Sequence, residues 1–498
     1  MAEMCPMVLC GGRRKIIATA MLVLKPFFLT SLGANPLVRL NDCGVMQLYV
    51  SGEPFLGIAG ELHNSSTSGL AYFSWALDAT ASLGVNTVLA PISWQQFERT
   101  EGEYDFKLTD GMLSELRKRR LKWIPLWFGA WKNGASAYAP GWVKRDTRRF
   151  VRVRNDRGEE LETLDPHSDE LLRVETRAFV AFMRHLKEVD AAEQTVVMIQ
   201  PENEVGVFLP WNPHEAAKAF ATYINALAAA GRAEYDIPMF CNAWIVQKPD
   251  DPPGVYPNGG CVTRVFKEWK EFAPKIDVLS PDIYLDDFKA IVADYHREDN
   301  PLLVPESKVS SGRLFWTLCE HDGILFAPFG IEDVAGNEEY AASCRLVATN
   351  AAAILSAQGT GRMHGIWRQS LNEKSCEITL GAYRLTVTYE EPRAYGAVIQ
   401  TGEDDFTFLG LGYMVTAVET ATDRKAYVEE IDEYENGRLR RVLNGDEGGN
   451  DVFLARGIAR RTNERNEEYE KASADSYIPQ TFKSIYLPAE YRVRFYRR

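Results

Sequence analysis

The chain has 498 residues, of which 46% are hydrophobic and 25% are charged. This composition is typical of a folded protein with a sizeable core, and it excludes a disordered or low-complexity chain. The 56 lysines and arginines against 69 aspartates and glutamates give a net charge of −13, which repels phosphate backbones. We therefore expect no nucleic-acid partner, and the length fits one large domain with a smaller one.

Residues 1–44 form an N-terminal segment of uncertain role. The cations Arg13–Lys15 precede the apolar run Ile16–Leu24, which is the order found in secretory signals. No clear small-residue cleavage site follows the run, so a cytoplasmic location is favoured over secretion. The run is also far shorter than the roughly 20 residues of a transmembrane helix, so we expect no membrane insertion.

Between residues 45 and 365, eight short apolar runs alternate with amphipathic stretches. Such alternation is typical of parallel strands covered by helices, and it predicts a (β/α)8 TIM barrel of the α/β class. The helix candidates are Tyr72–Leu83, Asp110–Arg119, Leu171–Val189, His214–Ala230 and Asn337–Ser356. The strand candidates are Pro54–Ala59, Thr87–Ile92, Lys122–Phe128, Thr195–Gln200, Ile237–Asn242, Ile276–Ile283, Leu302–Pro305 and Ile324–Phe329.

Two other stretches have a different character. The charged segment Arg145–Glu162 follows the third strand candidate, and it predicts a surface excursion or small hairpin because so many charges are costly to bury. Residues 366–498 contain short alternating runs such as Cys376–Tyr389 and Asp405–Thr416, separated by turn residues. They predict a C-terminal antiparallel β-sandwich-like domain.

Two glutamates directly follow apolar strand candidates. Glu204 lies in Gln200–Gly206 after the fourth candidate, and Glu306 follows Leu303–Pro305 at the seventh. Catalytic groups of a barrel project from the carboxyl ends of its strands, and a carboxyl pair facing across the mouth is what glycoside hydrolysis requires. Glu202 lies two residues before Glu204, so regular alternation would place both on one face of the strand.

Four elements resemble those of clan A glycoside hydrolases, and in particular of β-galactosidase families 35 and 42. Gly57–His63 is similar to the first strand of family 35. Gly84–Val88 and Glu101–Phe106 are similar to its second strand and the following loop, and Gln200–Gly206 is similar to its Q-x-E-N-E-x-G element. In order, these elements span the predicted barrel.

The resemblance implies a retaining, exo-acting β-glycosidase, most similar to a β-galactosidase, with a carbohydrate substrate and no cofactor. It assigns Glu204 as the general acid/base and Glu306 as the nucleophile. It also assigns Asn203 to the sugar 2-hydroxyl, and the Asn-Glu motif selects Glu204 over Glu202. A tyrosine near strand six often hydrogen-bonds the nucleophile in this clan, and Tyr284 occupies that position.

Other strand ends supply candidate substrate-binding residues. Each has a structural alternative, since a histidine or tryptophan can equally pack within the core. The candidates are Glu61, His63, Trp94, Trp131, Asn133 and Trp244.

The sequence departs from family 35 at two places. An Ala-Glu-Trp element after the third strand helps to hold galactose in that family, whereas Trp127–Gly134 contains no acid and includes Lys132. Strand eight offers Phe326 and Phe329 where the clan commonly has a tryptophan. Both departures put the sugar specificity in question.

Two alternative functions remain open. Glu204, Asp282 and Glu306 could bind Mg²⁺ in a metal-dependent barrel lyase or isomerase, although strands four and seven face each other across a barrel. A non-catalytic carbohydrate-binding barrel is the other alternative, but a binding module needs no opposed acid pair. The eight cysteines contain no C-x-x-C pair and are expected to be free thiols, and the sequence leaves homo-oligomerisation open.

Overall fold

Eight parallel strands close into a barrel. They come from a computed structural model that describes residues 34–443, 452–461 and 484–498, so the apolar run Ile16–Leu24 lies outside the described residues. The barrel strands are Gly57–Glu61, Thr87–Ser93, Lys122–Lys132, Gln200–Asn203, Phe240–Trp244, Val278–Ile283, Leu303–Val304 continued by Glu306–Ser307, and Leu325–Phe326.

The parallel pairing runs the whole way round the barrel. The fourth and fifth strands meet at a bridge between Ile199 and Met239, and the eighth strand returns to the first by pairing Leu325 with Gly57. The predicted TIM barrel is confirmed. The fourth strand, however, is Gln200–Asn203, whereas the apolar run predicted Thr195–Gln200. Within the predicted range before Gln200, only isolated bridges at Val196 and Ile199 form, and polar residues continue the ladder with strand three.

Helices cover the outside of the barrel, as the periodicity predicts. The longest, Asp169–Asp190, is capped by Ser168, whose hydroxyl accepts a hydrogen bond from the backbone N–H of Leu171. The other α-helices are Leu70–Ala81, Trp94–Phe97, Lys107–Lys118, Gly141–Arg145, Pro213–Glu234, Phe266–Phe272, Phe288–Tyr295, Ser311–Phe315, Glu338–Thr349 and Ala351–Ala357. Short helical turns occupy Thr263–Val265, Trp316–Glu320 and Ile331–Val334.

Two local predictions have different outcomes. The charged segment after strand three forms the small hairpin Arg152–Arg154 and Glu160–Leu164. The single helix predicted over Asn337–Ser356 is wrong, because the helix breaks at Asn350. Asn350 has φ and ψ angles of −101° and 10°, outside the helical range, and its side-chain amide donates a further hydrogen bond to the carbonyl of Leu346.

A small antiparallel sheet covers the amino-terminal end of the barrel. Its strands are Leu37–Leu40, Met46–Val50 and Glu53–Phe55. Leu48 and Val50 are buried in one hydrophobic cluster with Val278 and Leu303, the first residues of barrel strands six and seven. The sheet therefore fills the end of the barrel opposite the carboxyl ends of the strands.

The C-terminal part is built from antiparallel sheets, as predicted. A six-stranded and a four-stranded sheet enclose one hydrophobic cluster that includes Leu385, Phe406 and Phe453. The six-stranded sheet contains Met363–Trp367, Tyr395–Gln400, Asp405–Leu411, Ala489–Tyr496, Tyr427–Glu435 and Arg438–Val442. The four-stranded sheet contains Ser375–Leu380, Tyr383–Tyr389, Tyr413–Glu419 and Val452–Ala455, and Ile458–Arg461 pairs with Ser484–Leu487.

Two further observations concern the described residues as a whole. None of the described helices combines the length and the hydropathy of a membrane span. The six described cysteines are free, whereas Cys5 and Cys10 lie outside the described residues.

Replacing Leu48 with alanine is expected to lower the free energy of unfolding by about 2–5 kcal/mol, because it leaves a cavity where the sheet fills the barrel. Urea denaturation would measure the loss. Val38→Ala is the matched control, since Val38 is only partly buried against the same cluster. A Leu48→Ala variant no less stable than the Val38→Ala variant would contradict this account of how the barrel is closed.

Candidate active site

Four carboxyl groups meet at the carboxyl ends of the barrel strands. Glu61, Glu204, Asp282 and Glu306 follow or end strands one, four, six and seven, and all four are buried. One carboxylate oxygen each from Glu204, Asp282 and Glu306 lie within 4.8 Å of one another. The structure thus brings the two predicted catalytic glutamates together, with two further acids beside them.

Backbone pairing accounts for part of this convergence. Asp282 and Glu306 are direct partners in the parallel ladder between strands six and seven, so their side chains emerge side by side. Glu204 arrives from the opposite side of the mouth, and its backbone N–H donates a hydrogen bond of 3.0 Å to the side-chain oxygen of Asn242 at strand five.

The end of strand four does not alternate regularly. Glu202 and Glu204 have φ angles of 65° and 43°, in the left-handed region that side chains other than glycine rarely adopt. Glu202 consequently points toward strand three, where its carboxylate accepts the backbone N–H groups of Ala130 and Trp131. The expectation that Glu202 and Glu204 share a face is therefore wrong, because regular alternation assumes an extended backbone.

Glu306 is held by Tyr284, as the resemblance implied. The tyrosine hydroxyl donates a hydrogen bond of 2.8 Å to Glu306 Oε2. Burial raises the pKa of Glu306 above its ordinary range, although the positive charge of Lys132 and the bond from Tyr284 partly offset this rise. A donor to the ionised form stabilises it, so Tyr284 favours the carboxylate form of Glu306.

The other three acids have environments that favour the protonated form. Burial and the charge of Glu306 raise the pKa of Glu204 to about 7, against the opposing effect of Lys132. Burial and the charge of Glu306 also raise the pKa values of Glu61 and Asp282 well above their ordinary ranges. Burial thus raises the pKa values of all four acids, and at Glu306 the hydrogen bond from Tyr284 opposes this effect by favouring the charged form.

Asn203 and Asn242 form a hydrogen-bonded layer beneath the acids, which we call the polar floor of the site. Asn203 Oδ1 accepts hydrogen bonds from Gln200 Nε2 at 3.0 Å and from Asn242 Nδ2 at 3.1 Å. Asn242 Nδ2 also donates to Asp282 Oδ2 at 2.8 Å. Asn203 Nδ2 lies 3.5 Å from Asn133 Oδ1, a long contact that leaves this donor weakly engaged.

The predicted aromatic candidates fall into two groups. Trp94 and Trp131 are fully buried in the core, where their indole N–H groups donate to Glu98 and to the carbonyl of Leu164. Trp244 ends strand five, is only partly buried, and meets the exposed Phe208 edge to face at 5.7 Å. Of the three predicted tryptophans, only Trp244 keeps part of its surface accessible.

His63 is tied to the loop after strand eight. Its Nε2 lies 2.7 Å from Asp333 Oδ2, and its ring meets Phe329 edge to face at 5.1 Å. Its backbone N–H donates to Glu332, and Glu332 is among the charges that raise the pKa of Glu61. His63 therefore connects strand one to the strand-eight loop.

Sequence reasoning missed Asn242 as a site residue, and it named Lys132 only as a candidate subsite residue near strand three. Asn242 ends the fifth apolar run, so its position could have suggested it. Lys132 is brought to the mouth by a bulge in strand three, where the pairing passes from Trp127 with Pro201 directly to Lys132 with Asn203. No periodic pattern predicts an irregularity of this kind.

Comparison with known proteins identifies no characterised relative in sequence. A family model for a domain of unknown function, DUF5597, matches residues 340–455, which lie mostly in the C-terminal sheets. No curated protein matches the sequence.

Solved structures similar to the chain include carbohydrate-active enzymes with TIM-barrel folds. A β-galactosidase from Bacillus circulans sp. alkalophilus is 13% identical with a TM-score of 0.47, over 61% of this chain and 57% of that one. An exo-β-1,4-mannosidase from Opitutaceae bacterium strain TAV5 is 16% identical with a TM-score of 0.42, over 64% and 63%. The chain thus spans less than two thirds of either enzyme, and TM-scores below 0.5 at these identities assign no activity to it.

Glu204→Gln is expected to stabilise the protein at pH 8 but not at pH 4. The folded-state pKa of about 7 lies above the ordinary 4.5, so the folded protein binds more protons between these values. Stability is therefore lost as the pH rises through this window, and an amide avoids that loss. We expect a gain of ~1–3 kcal/mol at pH 8, measured by thermal unfolding across pH.

The matched control for this prediction is Glu162→Gln, because the Glu162 side chain is 91% exposed. It should show no pH-dependent gain. A stability difference between Glu204→Gln and the parent that is the same at pH 4 and pH 8 would contradict the assigned environment.

Proposed function

We propose that the protein is a retaining, exo-acting β-glycosidase, most similar to a β-galactosidase, that hydrolyses terminal non-reducing β-linked sugars. The observation that carries the proposal is the pairing of Glu204 with Glu306 across the barrel mouth, with oxygens within 4.8 Å. Retaining glycosidases place their two carboxyl groups roughly 5–5.5 Å apart, whereas inverting enzymes need roughly 6.5–9.5 Å to admit a water. The approach of one oxygen from each glutamate to within 4.8 Å favours the shorter of these two spacings.

The proposed reaction has two steps. Glu306 attacks the anomeric carbon as a carboxylate while protonated Glu204 gives its proton to the departing glycosidic oxygen, which leaves as an alcohol. A covalent glycosyl-Glu306 ester remains. Glu204, now a carboxylate, then takes a proton from water as the water oxygen attacks the anomeric carbon, which releases the sugar and regenerates both groups.

The environments of the two glutamates suit these opposite roles. A pKa of about 7 leaves Glu204 protonated at mildly acidic pH, so it can act as an acid. The hydrogen bond from Tyr284 and the charge of Lys132 favour the ionised nucleophile. Identical side chains acquire different functions when their surroundings move their pKa values apart.

The polar floor supports a sugar that carries a 2-hydroxyl group. Asn203 Oδ1 is already occupied by two donors, so the amide can offer the substrate only its Nδ2 hydrogens. A hydroxyl oxygen can accept such a bond, whereas an ammonium group cannot. Trp244, beside Phe208, provides a ring surface against which an apolar sugar face can pack.

Glu306→Gly and Glu204→Ala test the proposal with a panel of aryl β-glycosides that includes the β-galactoside. Loss of the nucleophile should abolish turnover, and loss of the acid/base should lower kcat by about 10²–10⁴-fold. Added azide should yield an α-glycosyl azide with Glu306→Gly and a β-glycosyl azide with Glu204→Ala. Product stereochemistry would be read by NMR.

Glu162→Gln serves as the unaffected control here as well, since its side chain is exposed to solvent. Unchanged turnover in either catalytic variant would overturn the assigned residues. A product of inverted configuration from the parent enzyme would overturn the double-displacement mechanism, and a panel in which the β-galactoside is a poor substrate would overturn the sugar preference.

One observation favours a second candidate function, a metal-dependent lyase or isomerase. Glu204, Asp282 and Glu306 have the spacing of a carboxylate set for a divalent cation, and two of their oxygens, Asp282 Oδ1 and Glu306 Oε1, have no hydrogen-bond partner. Glycosidase activity that survives EDTA would eliminate this candidate. Loss of activity in EDTA and its recovery with Mg²⁺ would support it instead.

A further inference from the structure

A second pair of acids lies behind the mouth, between strand three and the helices outside the barrel. Glu175 and Glu202 are both buried and lie close enough for Glu175 to raise the pKa of Glu202, in addition to the effect of burial. Neither residue belongs to the glycosidase mechanism proposed above. Burying two acids is costly, so their function in the site needs an explanation.

The pair fills a bulge in strand three. Four residues, 128–131, stand opposite Glu202 alone, because the pairing passes from Trp127 with Pro201 to Lys132 with Asn203. Because the ladder skips these four residues, regular pairing offers the N–H groups of Ala130 and Trp131 no backbone carbonyl on strand four.

Glu202 supplies the missing acceptors for the bulge. Its Oε1 accepts the N–H of Ala130 at 3.0 Å, and its Oε2 accepts the N–H of Trp131 at 2.7 Å. Glu175 completes the arrangement. Its Oε1 accepts Trp127 Nε1 at 2.9 Å and the N–H of Ala130 at 3.2 Å, and its Oε2 accepts the Tyr223 hydroxyl at 2.7 Å.

The fit around the pair is tight. A Cβ atom on Gly129 would lie 1.9 Å from Glu175 Oε1 and 2.8 Å from Glu202 Oε1. Glycine is therefore required at this position by close approach, and the two acids fix the path of the bulge.

The bulge ends on Lys132, which faces the catalytic acids. Its ammonium lies 4.6 Å over the ring of Phe128, and its charge lowers the pKa values of Glu61, Glu204 and Glu306. The residues after it join strand four, since the N–H of Asn133 donates to the carbonyl of Asn203 at 3.2 Å. A shift of the bulge would therefore move a cation within the acid cluster.

We propose that Glu202, supported by Glu175, is a positioning residue that acts through Lys132: it holds the bulge that fixes the position of this ammonium over the Phe128 ring and relative to the catalytic carboxyl groups. The proposal rests on the proposed glycosidase function for its kinetic consequence. The structural part of the proposal does not depend on that function, because it concerns only the position of Lys132 when Glu202 is changed.

A double-mutant cycle tests the proposal. Glu202→Gln removes one of the two acceptors, because an amide has a single acceptor oxygen, and Lys132→Met removes the cation with little change in volume. Each variant should lower kcat by about 10–100-fold with a smaller change in KM. The double variant should be no slower than Lys132→Met alone, because residues that act through one another are not additive.

Three further variants complete the design. Lys132→Arg keeps the charge and should retain most of the activity. Gly129→Ala disturbs the same bulge from the other side, so it should reproduce the non-additive loss and replaces Glu202→Gln if that variant does not fold. Glu433→Gln is the matched control, since Glu433 is equally buried, pairs with Arg440 at 3.0 Å in the C-terminal sheets, and should leave kcat unchanged.

The outcomes separate this proposal from the proposed function. Additive losses, or an unchanged kcat in Glu202→Gln, would overturn the positioning role while leaving the glycosidase intact. A parent enzyme inactive on every glycoside would overturn the glycosidase. In that case a crystal structure of Glu202→Gln still decides the positioning role, which requires displacement of the Lys132 ammonium from the Phe128 ring and is overturned if Lys132 has not moved.

Discussion

The free-energy cost of burying carboxyl groups determines the protonation behaviour of the acids at the barrel mouth. Glu61, Glu204, Asp282 and Glu306 are all withdrawn from water, and an isolated buried charge is expensive unless it is paired or neutralised by a proton. Burial raises the pKa values of these acids, which favours their neutral forms, and the positive charge of Lys132 lowers the pKa values of Glu61, Glu204 and Glu306. The site's reactivity follows from the same constraint, because a stored proton on one acid and a supported charge on another are what acid-assisted displacement needs.

Hydrophobic packing elsewhere in the barrel offsets the free-energy cost of burying these four acids. The sheet at the amino-terminal end fills the barrel with Leu48 and Val50, and the aromatic core behind strand three contains Trp127 and Trp131. Strained backbone conformations lie at the other end of the barrel, at the carboxyl end of strand four. Glu202 and Glu204 both have left-handed backbone conformations there, and such conformations persist only where surrounding contacts enforce them. The backbone N–H of Glu204 is held by Asn242, and the side chain of Glu202 is held by strand three.

Sequence patterns predicted the barrel because the hydrophobic pattern within each strand or helix indicates which of its faces is buried. They also placed Glu306 and Tyr284 at neighbouring strand ends, and the structure joins them by a hydrogen bond. What they could not predict depends on departures from regular geometry. The bulge that carries Lys132 to the mouth does not change the hydrophobic pattern of strand three. The burial of Trp94, in the short helix after strand two, likewise depends on tertiary packing.

Glu202 and Glu204 show that the function of a glutamate depends on its backbone conformation and its contacts. The two residues have the same side chain and lie two positions apart at the end of one strand, so chemistry and regular spacing give no reason to separate them. Their backbone angles send Glu202 toward strand three, where two N–H groups and Glu175 occupy it, and Glu204 toward Glu306. The first has its acceptors committed to the backbone and cannot reach a substrate. The second retains a proton beside an ionisable partner, and this arrangement makes it the one able to protonate a leaving oxygen.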